Sequence, residues 1–199
     1  MPRDRVDILK VTEPTELFPE IYQPLVSLIL QGEKRLLIGN QVLTYAAGHT
    51  FIASVELPVV GEVVEASANV PYIAVSLIFD RSVVADLLRD VPGLKAAEAR
   101  SFSVNHASDN LVDAWFRLLR LMEQPDEIAV MAPLLEREIL FRLLLALKVP
   151  LCGRSRASTT GLSKSGMRCS GSDRNMRPPS RRGNLPGLQH ERLCLPPRL

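Results

Sequence analysis

The chain has 199 residues, enough for one domain with an appendage, and its net charge of +2 hides a strong division. Residues 1–150 hold 14 basic and 20 acidic residues, a net charge of −6, whereas residues 151–199 hold 10 basic and 2 acidic residues, a net charge of +8. All three cysteines lie in the last 49 residues and no long apolar run occurs, which excludes a disulfide-stabilised fold, a signal peptide and a membrane-spanning segment and favours a cytoplasmic protein.

The first 80 residues predict an arm followed by a β-barrel. Residues 1–20 are mostly polar, and Pro14 and Pro19 interrupt any long element, so we expect an N-terminal arm. Residues 21–80 contain short apolar runs, rich in Val, Ile and aromatic residues, with turn signals between them. The pairs Gly32-Glu33 and Gly39-Asn40 are typical of hairpin turns, because glycine adopts the positive φ that such turns need. This spacing predicts an antiparallel barrel or jelly roll.

After Asp80 the apolar residues recur at helical spacing, so we predict three helices within residues 81–147. Between the first two helices, a short strand is predicted at Ser101–Val104. The third helix follows Pro125 and ends near Leu147. The first helix is predicted at Ser82–Leu88, with Asp80 or Ser82 as its N-terminal cap. The second is predicted at Asn110–Glu123, with Ser108 or Asp109 as its cap. Strands followed by helices predict an α+β domain.

The last part of the chain, residues 148–199, lacks aromatic residues and hydrophobic periodicity and is rich in Ser, Arg and Pro. Such a segment buries too little apolar surface to offset its ordering entropy, so we predict a disordered basic tail. Its positive charge favours non-specific contact with nucleic acid, but charge without a fold indicates no specific function.

Metal-ligating and catalytic patterns are weak throughout the chain. His49 has no second histidine near it, so a metal site of the cupin kind is not expected. The three cysteines are 17 and 25 residues apart, which is not a zinc-binding spacing. Acidic residues in the strands are expected to be solvated positions of alternating strands, namely Glu56, Glu62 and Glu65. We therefore expect no metal, no cofactor and no enzymatic activity.

Residues 21–34, which read IYQPLVSLILQGEK, resemble the N-terminal domain of AraC-type bacterial transcription regulators. The resemblance covers roughly residues 10–147 and continues through Gly39, Tyr45, Gly48-His49, Ser54–Pro58, Glu65–Ser67, Pro71-Tyr72 and Ala132–Leu140. It implies a cupin-like barrel with trailing helices (barrel 21–80, helices 81–147) that senses a small-molecule effector and forms a homodimer. It also implies that DNA is bound by a C-terminal pair of helix-turn-helix units.

The resemblance suggests where an effector and a second subunit would bind. An effector is expected among inward-facing strand residues, although strand alternation leaves open which face turns inward. The candidate lining residues are Tyr45, His49, Phe51, Glu65 and Tyr72. For the dimer interface, the candidate anchors on the second predicted helix are Trp115 and Leu119.

The chain departs from the family pattern after Leu147, where no helix-turn-helix unit is recognisable in this reading frame. Residues 190–197 are compatible with a DNA sequence that, shifted by one nucleotide, encodes Met-Ser-Val-Ser-Ala-Phe-His-Arg. That peptide resembles the family's first helix-turn-helix unit. We therefore interpret residues 148–199 as a frameshifted, truncated remnant of the DNA-binding region, which predicts no specific DNA binding.

Two alternatives stay open. The first is a small cupin-like metal enzyme, such as an isomerase or oxygenase, which requires more ligands than His49 alone supplies. The second is an interaction protein that dimerises with intact regulators and silences them.

Overall fold

Ten strands and three α-helices make up the part of the chain that the structure, a computed structural model, describes, namely residues 5–91, 101–148 and 188–193. The strands are β1 (Val6–Val11), β2 (Phe18–Tyr22), β3 (Leu25–Gln31), β4 (Glu33–Ile38), β5 (Gln41–Ala46), β6 (His49–Ala53), β7 (Leu57–Glu65), β8 (Tyr72–Ile78), β9 (Phe102–His106) and β10 (Leu188–Leu193). The helices are α1 (Arg81–Asp90), α2 (Asp109–Arg120) and α3 (Pro125–Lys148), with a 3₁₀ turn at Leu121–Glu123.

The strands form two antiparallel sheets, ordered β10-β1-β8-β3-β6-β9 and β2-β7-β4-β5. The facing surfaces of the two sheets share one cluster of buried side chains, which is the barrel interior. The other face of the six-stranded sheet packs against the three helices in a second cluster. The molecule therefore has three layers, and the predicted α+β architecture of a barrel followed by helices is confirmed.

The two glycine turns differ from each other. Gly39, with φ +57°, turns β4 into its hydrogen-bonded partner β5, so this predicted hairpin is confirmed. The hairpin expected at Gly32 is wrong, because β3 and β4 belong to different sheets and the chain crosses between them there. Gly32 has φ +83°, and a Cβ on it would lie 2.5 Å from the carbonyl oxygen of Glu65. Glycine is required at this crossing because another strand approaches so closely.

The expected N-terminal arm, residues 1–20, contains two strands of the sheets. β1 lies between β8 and β10, and β2 pairs with β7. Val6 packs in the helix-side cluster and Val11 in the barrel interior, so β1 is buried on both faces despite its polar neighbours. Pro19 lies in β2, an edge strand, where the missing N–H is tolerated.

One segment of the tail that was expected to be disordered forms a strand. β10 pairs antiparallel with β1, from Val6 opposite Leu193 to Val11 opposite Leu188. Backbone pairing needs little apolar composition, and it covers N–H and C=O groups that β1 would otherwise leave exposed at the sheet edge. The rest of the predicted tail, apart from Lys148 at the end of α3, lies outside the described residues.

The predicted helices are confirmed within a few residues. Ser82 N–H donates to the carboxylate of Asp80 over 2.9 Å, which caps α1, and Ser108 caps α2. α3 begins at Pro125, a residue that favours the first helical turn. No described helix is long and apolar enough to cross a membrane.

Candidate functional site

The interior between the two sheets is lined by aromatic rings. The ring of Phe51 lies 5.8 Å from that of Tyr45 and 6.4 Å from that of Phe102, both in stacked arrangements, and Tyr22 meets Phe51 edge-on at 5.9 Å. Tyr72 is 1% exposed in the same cluster. All three tyrosines of the chain therefore lie in this one interior.

A lysine side chain is buried among these rings. β4 alternates between outward and inward positions, and its inward row consists of Lys34, Leu36 and Ile38. Lys34 is only 7% exposed, and its Nζ donates a 2.8 Å hydrogen bond to the hydroxyl of Tyr22. The same Nζ lies 5.5 Å from the centroid of the Tyr22 ring, within the range of a cation–π contact. The interior thus contains a cation in apolar and aromatic surroundings.

Gly61 on β7 leaves space for this lysine. A Cβ at Gly61 would lie 3.4 Å from Cε of Lys34 and 3.0 Å from Cδ2 of Leu36. Because the glycine has no side chain, the aliphatic stem of Lys34 lies across the neighbouring strand without displacing Leu36. The position of the ammonium group is therefore set by packing against β7 and by the hydrogen bond to Tyr22, and no ion pair of Lys34 occurs among the described residues.

Burial keeps the hydroxyls of Tyr45 and Tyr72 protonated. It raises the pKa of Tyr45 well above the ordinary value of 10.0, and nearby Tyr22, Tyr72 and Glu20 add to the effect. Burial also raises the pKa of Tyr72, although the charge of Lys34 opposes the shift. At neutral pH both hydroxyls are hydrogen-bond donors as well as acceptors. The interior therefore offers a cation and neutral donors on an apolar background, with the carboxylate of Glu20 nearby.

The structure brings together only some of the predicted lining residues. Tyr45, Phe51 and Tyr72 lie in the shared interior. Glu65 is exposed at the end of β7. His49 is half-buried at the start of β6, and the expectation that no histidine lies near it is wrong, since antiparallel pairing places His106 directly opposite.

Sequence reasoning missed Lys34 and Tyr22 as interior residues. A signal for Lys34 was present, because it stands two and four residues before Leu36 and Ile38 on an alternating strand. Tyr22 had a weaker signal, since β2 begins inside the predicted arm and its exposed Ile21 obscures the alternation.

The two predicted dimer anchors differ in exposure. Trp115 is 1% exposed inside the core between the helices and the six-stranded sheet, so the monomer itself covers it. Its indole Nε1–H has no hydrogen-bond partner among the described residues. Leu119 is half-buried against the same core. The exposed apolar side chains of α2 are instead Val112 and Phe116.

Other candidate sites in the described residues are chemically poorer. No group of three or more His, Cys, Asp and Glu side chains is arranged there to hold a metal ion. A shallow cleft of about 340 Å³ lies near the start of α2 and the end of α3. Its charged residue, Arg142, already pairs with Glu138 at 3.0 Å.

The domain is a β-barrel of two antiparallel sheets with aromatic and polar side chains in its interior, followed by three helices. Residues 2–148 match the family described as AraC-type transcriptional regulator N-terminus. The chain therefore belongs to this family, and the resemblance seen in the sequence is confirmed. A search of curated proteins found no match.

Solved structures with a similar fold include three crystal structures of AraC-like regulators. The AraC-like transcriptional activator CuxR is 19% identical with a TM-score of 0.47, and the match covers 73% of this chain and 53% of CuxR. Unsaturated fatty acid-bound ToxT from Vibrio cholerae is 10% identical with a TM-score of 0.45, and the match covers 71% of this chain and 51% of ToxT. Apo ToxT K231A from the same organism is 10% identical with a TM-score of 0.43, and the match covers 71% of this chain and 52% of the ToxT chain. The chain spans about half the length of these proteins.

Proposed function

We propose that this chain is the effector-sensing part of an AraC-type transcription regulator, and that its barrel interior binds a small molecule with an anionic group. The ligand is bound and not converted. The protein acts in the bacterial cytoplasm, where promoter DNA lies, and DNA contact belongs to the helix-turn-helix region of the family.

The observation that carries this proposal is the buried ammonium group of Lys34. A buried charge is costly unless it is paired, and the hydrogen bond described for Nζ goes to a neutral tyrosine hydroxyl. A group that lowers stability in this way is expected at a functional site. Glu20 lies near the same tyrosines, but none of the described carboxylates forms an ion pair with Nζ, so an anionic ligand would supply a close counter-charge.

The surroundings of Lys34 favour an apolar body on that ligand. Phe51 and Phe102 present apolar rings, and Tyr45 and Tyr72 present protonated hydroxyls. A small hydrophobic carboxylate is the simplest class that matches a cation, neutral donors and aromatic walls together.

The proposed lining set differs from the sequence-based one. It keeps Tyr45, Phe51 and Tyr72 and adds Lys34 and Tyr22. His49 stands at the end of the barrel, and the exposed Glu65 is left out. Every member of the set therefore has its side chain in or at the shared interior.

Thermal unfolding of the full chain with added ligands tests the proposal. We expect hydrophobic carboxylates to raise the unfolding midpoint and alcohols of equal length to have little effect, since only a ligand that binds the native state stabilises it. The variant K34M keeps the aliphatic stem and removes the charge. It should weaken carboxylate binding roughly tenfold to hundredfold, the range for a hydrogen bond to a charged group.

The matched control is K10M, which removes an exposed charge on β1. It should bind carboxylates as the wild type does. Carboxylate binding that survives K34M, or is lost equally in K10M, would contradict the assignment. Without ligand, K34M should unfold at the wild-type temperature or above, because it removes a buried charge that has no ion-pair partner among the described residues.

We also propose that the chain forms a homodimer through α2. Since Trp115 is buried, Phe116, which is 58% exposed, is the better anchor on this helix. Sedimentation analysis should show a weaker dimer for F116A than for V42A, a control at an exposed apolar residue of β5. Equal sedimentation of the two variants would argue against α2.

A further inference from the structure

Two histidines face each other at one end of the barrel. His49 begins β6 and His106 ends β9, and the antiparallel register makes them direct partners. Their ring centroids are 5.4 Å apart, with an angle of 74° between the ring planes. The interior-facing residues Phe51 and Val104 form the next pair on the same face of the sheet. The histidine pair therefore stands at the mouth of the barrel.

Backbone hydrogen bonds at the two ends of the β6–β9 ladder show whether His49 and His106 form a hydrogen-bonded or a non-hydrogen-bonded pair. Ala107 N–H donates to the carbonyl of Gly48 over 2.8 Å, and Ser54 N–H donates to the carbonyl of Ser101 over 2.9 Å. Hydrogen-bonded and non-hydrogen-bonded pairs alternate along an antiparallel ladder, so His49 and His106 form a non-hydrogen-bonded pair. Side chains approach most closely at such pairs, which favours joint contact with one ion.

The hydrogen bond of His49 fixes which nitrogen is free. Nδ1 of His49 lies 3.1 Å from the carbonyl oxygen of Ala46. A carbonyl only accepts, so Nδ1 carries the proton, and Nε2 of the neutral ring keeps its lone pair. Histidines that ligate metals commonly donate their other N–H to a carbonyl in this way, which orients the ring and raises its basicity.

Gly48 does not crowd the second ring, and even an added Cβ would only reach ordinary van der Waals contact with it. Its φ is +80°, and a Cβ at this position would lie 3.6 Å from Nε2 of His106. His106 is exposed and His49 is half-buried, so an ion from solvent reaches both rings. The pair is thus accessible, close and already oriented on one side.

We propose that His49 and His106 bind a divalent transition-metal ion of the kind that prefers imidazole nitrogen, such as Cu²⁺, Ni²⁺ or Zn²⁺. No third His, Cys, Asp or Glu joins them in the part of the chain that the structure describes, so water completes the coordination. The ion links two neighbouring strands of one sheet, β6 and the edge strand β9, at the mouth of the barrel. This site uses neither Lys34 nor the interior tyrosines, so it stands or falls independently of the proposed effector site.

Titration of the full chain with Ni²⁺ and Cu²⁺ salts tests the site. The three cysteines outside the described residues are replaced by serine in all samples, because thiolates compete for these metals. We expect one ion per chain, with Cu²⁺ bound more tightly than Ni²⁺. The electron paramagnetic resonance spectrum of the Cu²⁺ complex should show two imidazole nitrogens.

The variants H49Q and H106Q should each weaken Ni²⁺ binding by about tenfold or more, since a chelate needs both rings. The control H190Q removes the remaining histidine and should bind as the parent does. Without metal, H106Q should melt at the parent temperature because His106 is exposed, and H49Q should melt close to it because His49 is only half-buried. Absence of Ni²⁺ binding in the parent would overturn the proposal. Unchanged binding in H49Q or in H106Q, or loss of binding in H190Q, would overturn it as well.

Discussion

The interior tyrosines give a residue-scale prediction about alkaline pH. The pKa values of Tyr45 and Tyr72 are raised in the folded state, mainly by burial. Their contribution to stability is therefore complete below pH 10, the ordinary tyrosine pKa, and is lost as pH rises further, because the unfolded state releases protons that the native state keeps. We expect tyrosinate absorbance at 295 nm to rise together with the loss of circular dichroism.

The double variant Y45F/Y72F is the comparison for this experiment. In this variant the free energy of unfolding should depend much less on pH above 10, since the two hydroxyls with raised pKa values are absent. Smooth titration of all three wild-type tyrosines, with native circular dichroism retained, would mean that the rings are solvated and not buried.

Single residues also show where sequence reasoning ends. The alternation of β4 is enough to place Lys34 beside Leu36 and Ile38, so the buried lysine was predictable in principle. The pairing of His49 with His106 was not, because it depends on β9 lying next to β6, 57 residues later in the chain. Hydrophobic periodicity predicts which face of a single strand is buried, but it does not predict which strands pair or in what register.

At the scale of elements, the two glycine turns provide a matched test. G39A should cost about 1 kcal/mol, because the positive φ is unfavourable for alanine while the surroundings are open. G32A should cost distinctly more, about 3 kcal/mol, because its Cβ also meets the backbone of Glu65. Urea unfolding of both variants measures the difference. Equal losses would show that the close approach at Gly32 relaxes freely.

Elements with local signals were the ones that the sequence predicted well. The Gly39 hairpin and the helix caps Asp80 and Ser108 each depend on a sequence signal of only a few residues, and all three occur in the structure. β1 was missed because its buried residues are shared between two clusters on opposite faces, which disguises the alternation. β10 was missed because its strand conformation comes with pairing to β1, a partner more than 170 residues away.

At the scale of the whole molecule, the ion pair between Arg5 and Glu136 joins the six-stranded sheet to the helices. Arg5, just before β1, donates two hydrogen bonds, of 3.1 and 2.5 Å, to the carboxylate of Glu136 on α3, which is fully buried. R5M should lower the free energy of unfolding by roughly 3 kcal/mol, because the buried carboxylate loses its bidentate partner. Chemical denaturation measures this loss.

The control for that pair is R35M. Arg35 contacts Glu62 at 2.7 Å on the outer face of the barrel, where Arg35 is 42% exposed, so its loss should cost less than about 1 kcal/mol. If R5M and R35M destabilise the protein equally, the contact between Arg5 and Glu136 does not hold the layers together.

The three-layer arrangement was predictable only in outline. Strands followed by helices indicate an α+β domain, and the family resemblance implies a barrel. Which sheet faces the helices depends on the strand order, and that order depends on several crossings of the chain between the sheets, including those at Gly32 and at Ala47-Gly48. Those crossings are set by tertiary packing, which no local pattern contains.

The most direct test of the effector site is nuclear magnetic resonance of the full chain labelled with ¹³C at tyrosine. All three tyrosines lie in the barrel interior, so every labelled ring reports on the proposed site. Addition of a hydrophobic carboxylate that stabilises the protein should shift the ring signals of Tyr22, Tyr45 and Tyr72 in the wild type and leave them in place in K34M. A stabilising carboxylate that moves none of the three signals would place its binding site elsewhere and contradict the account.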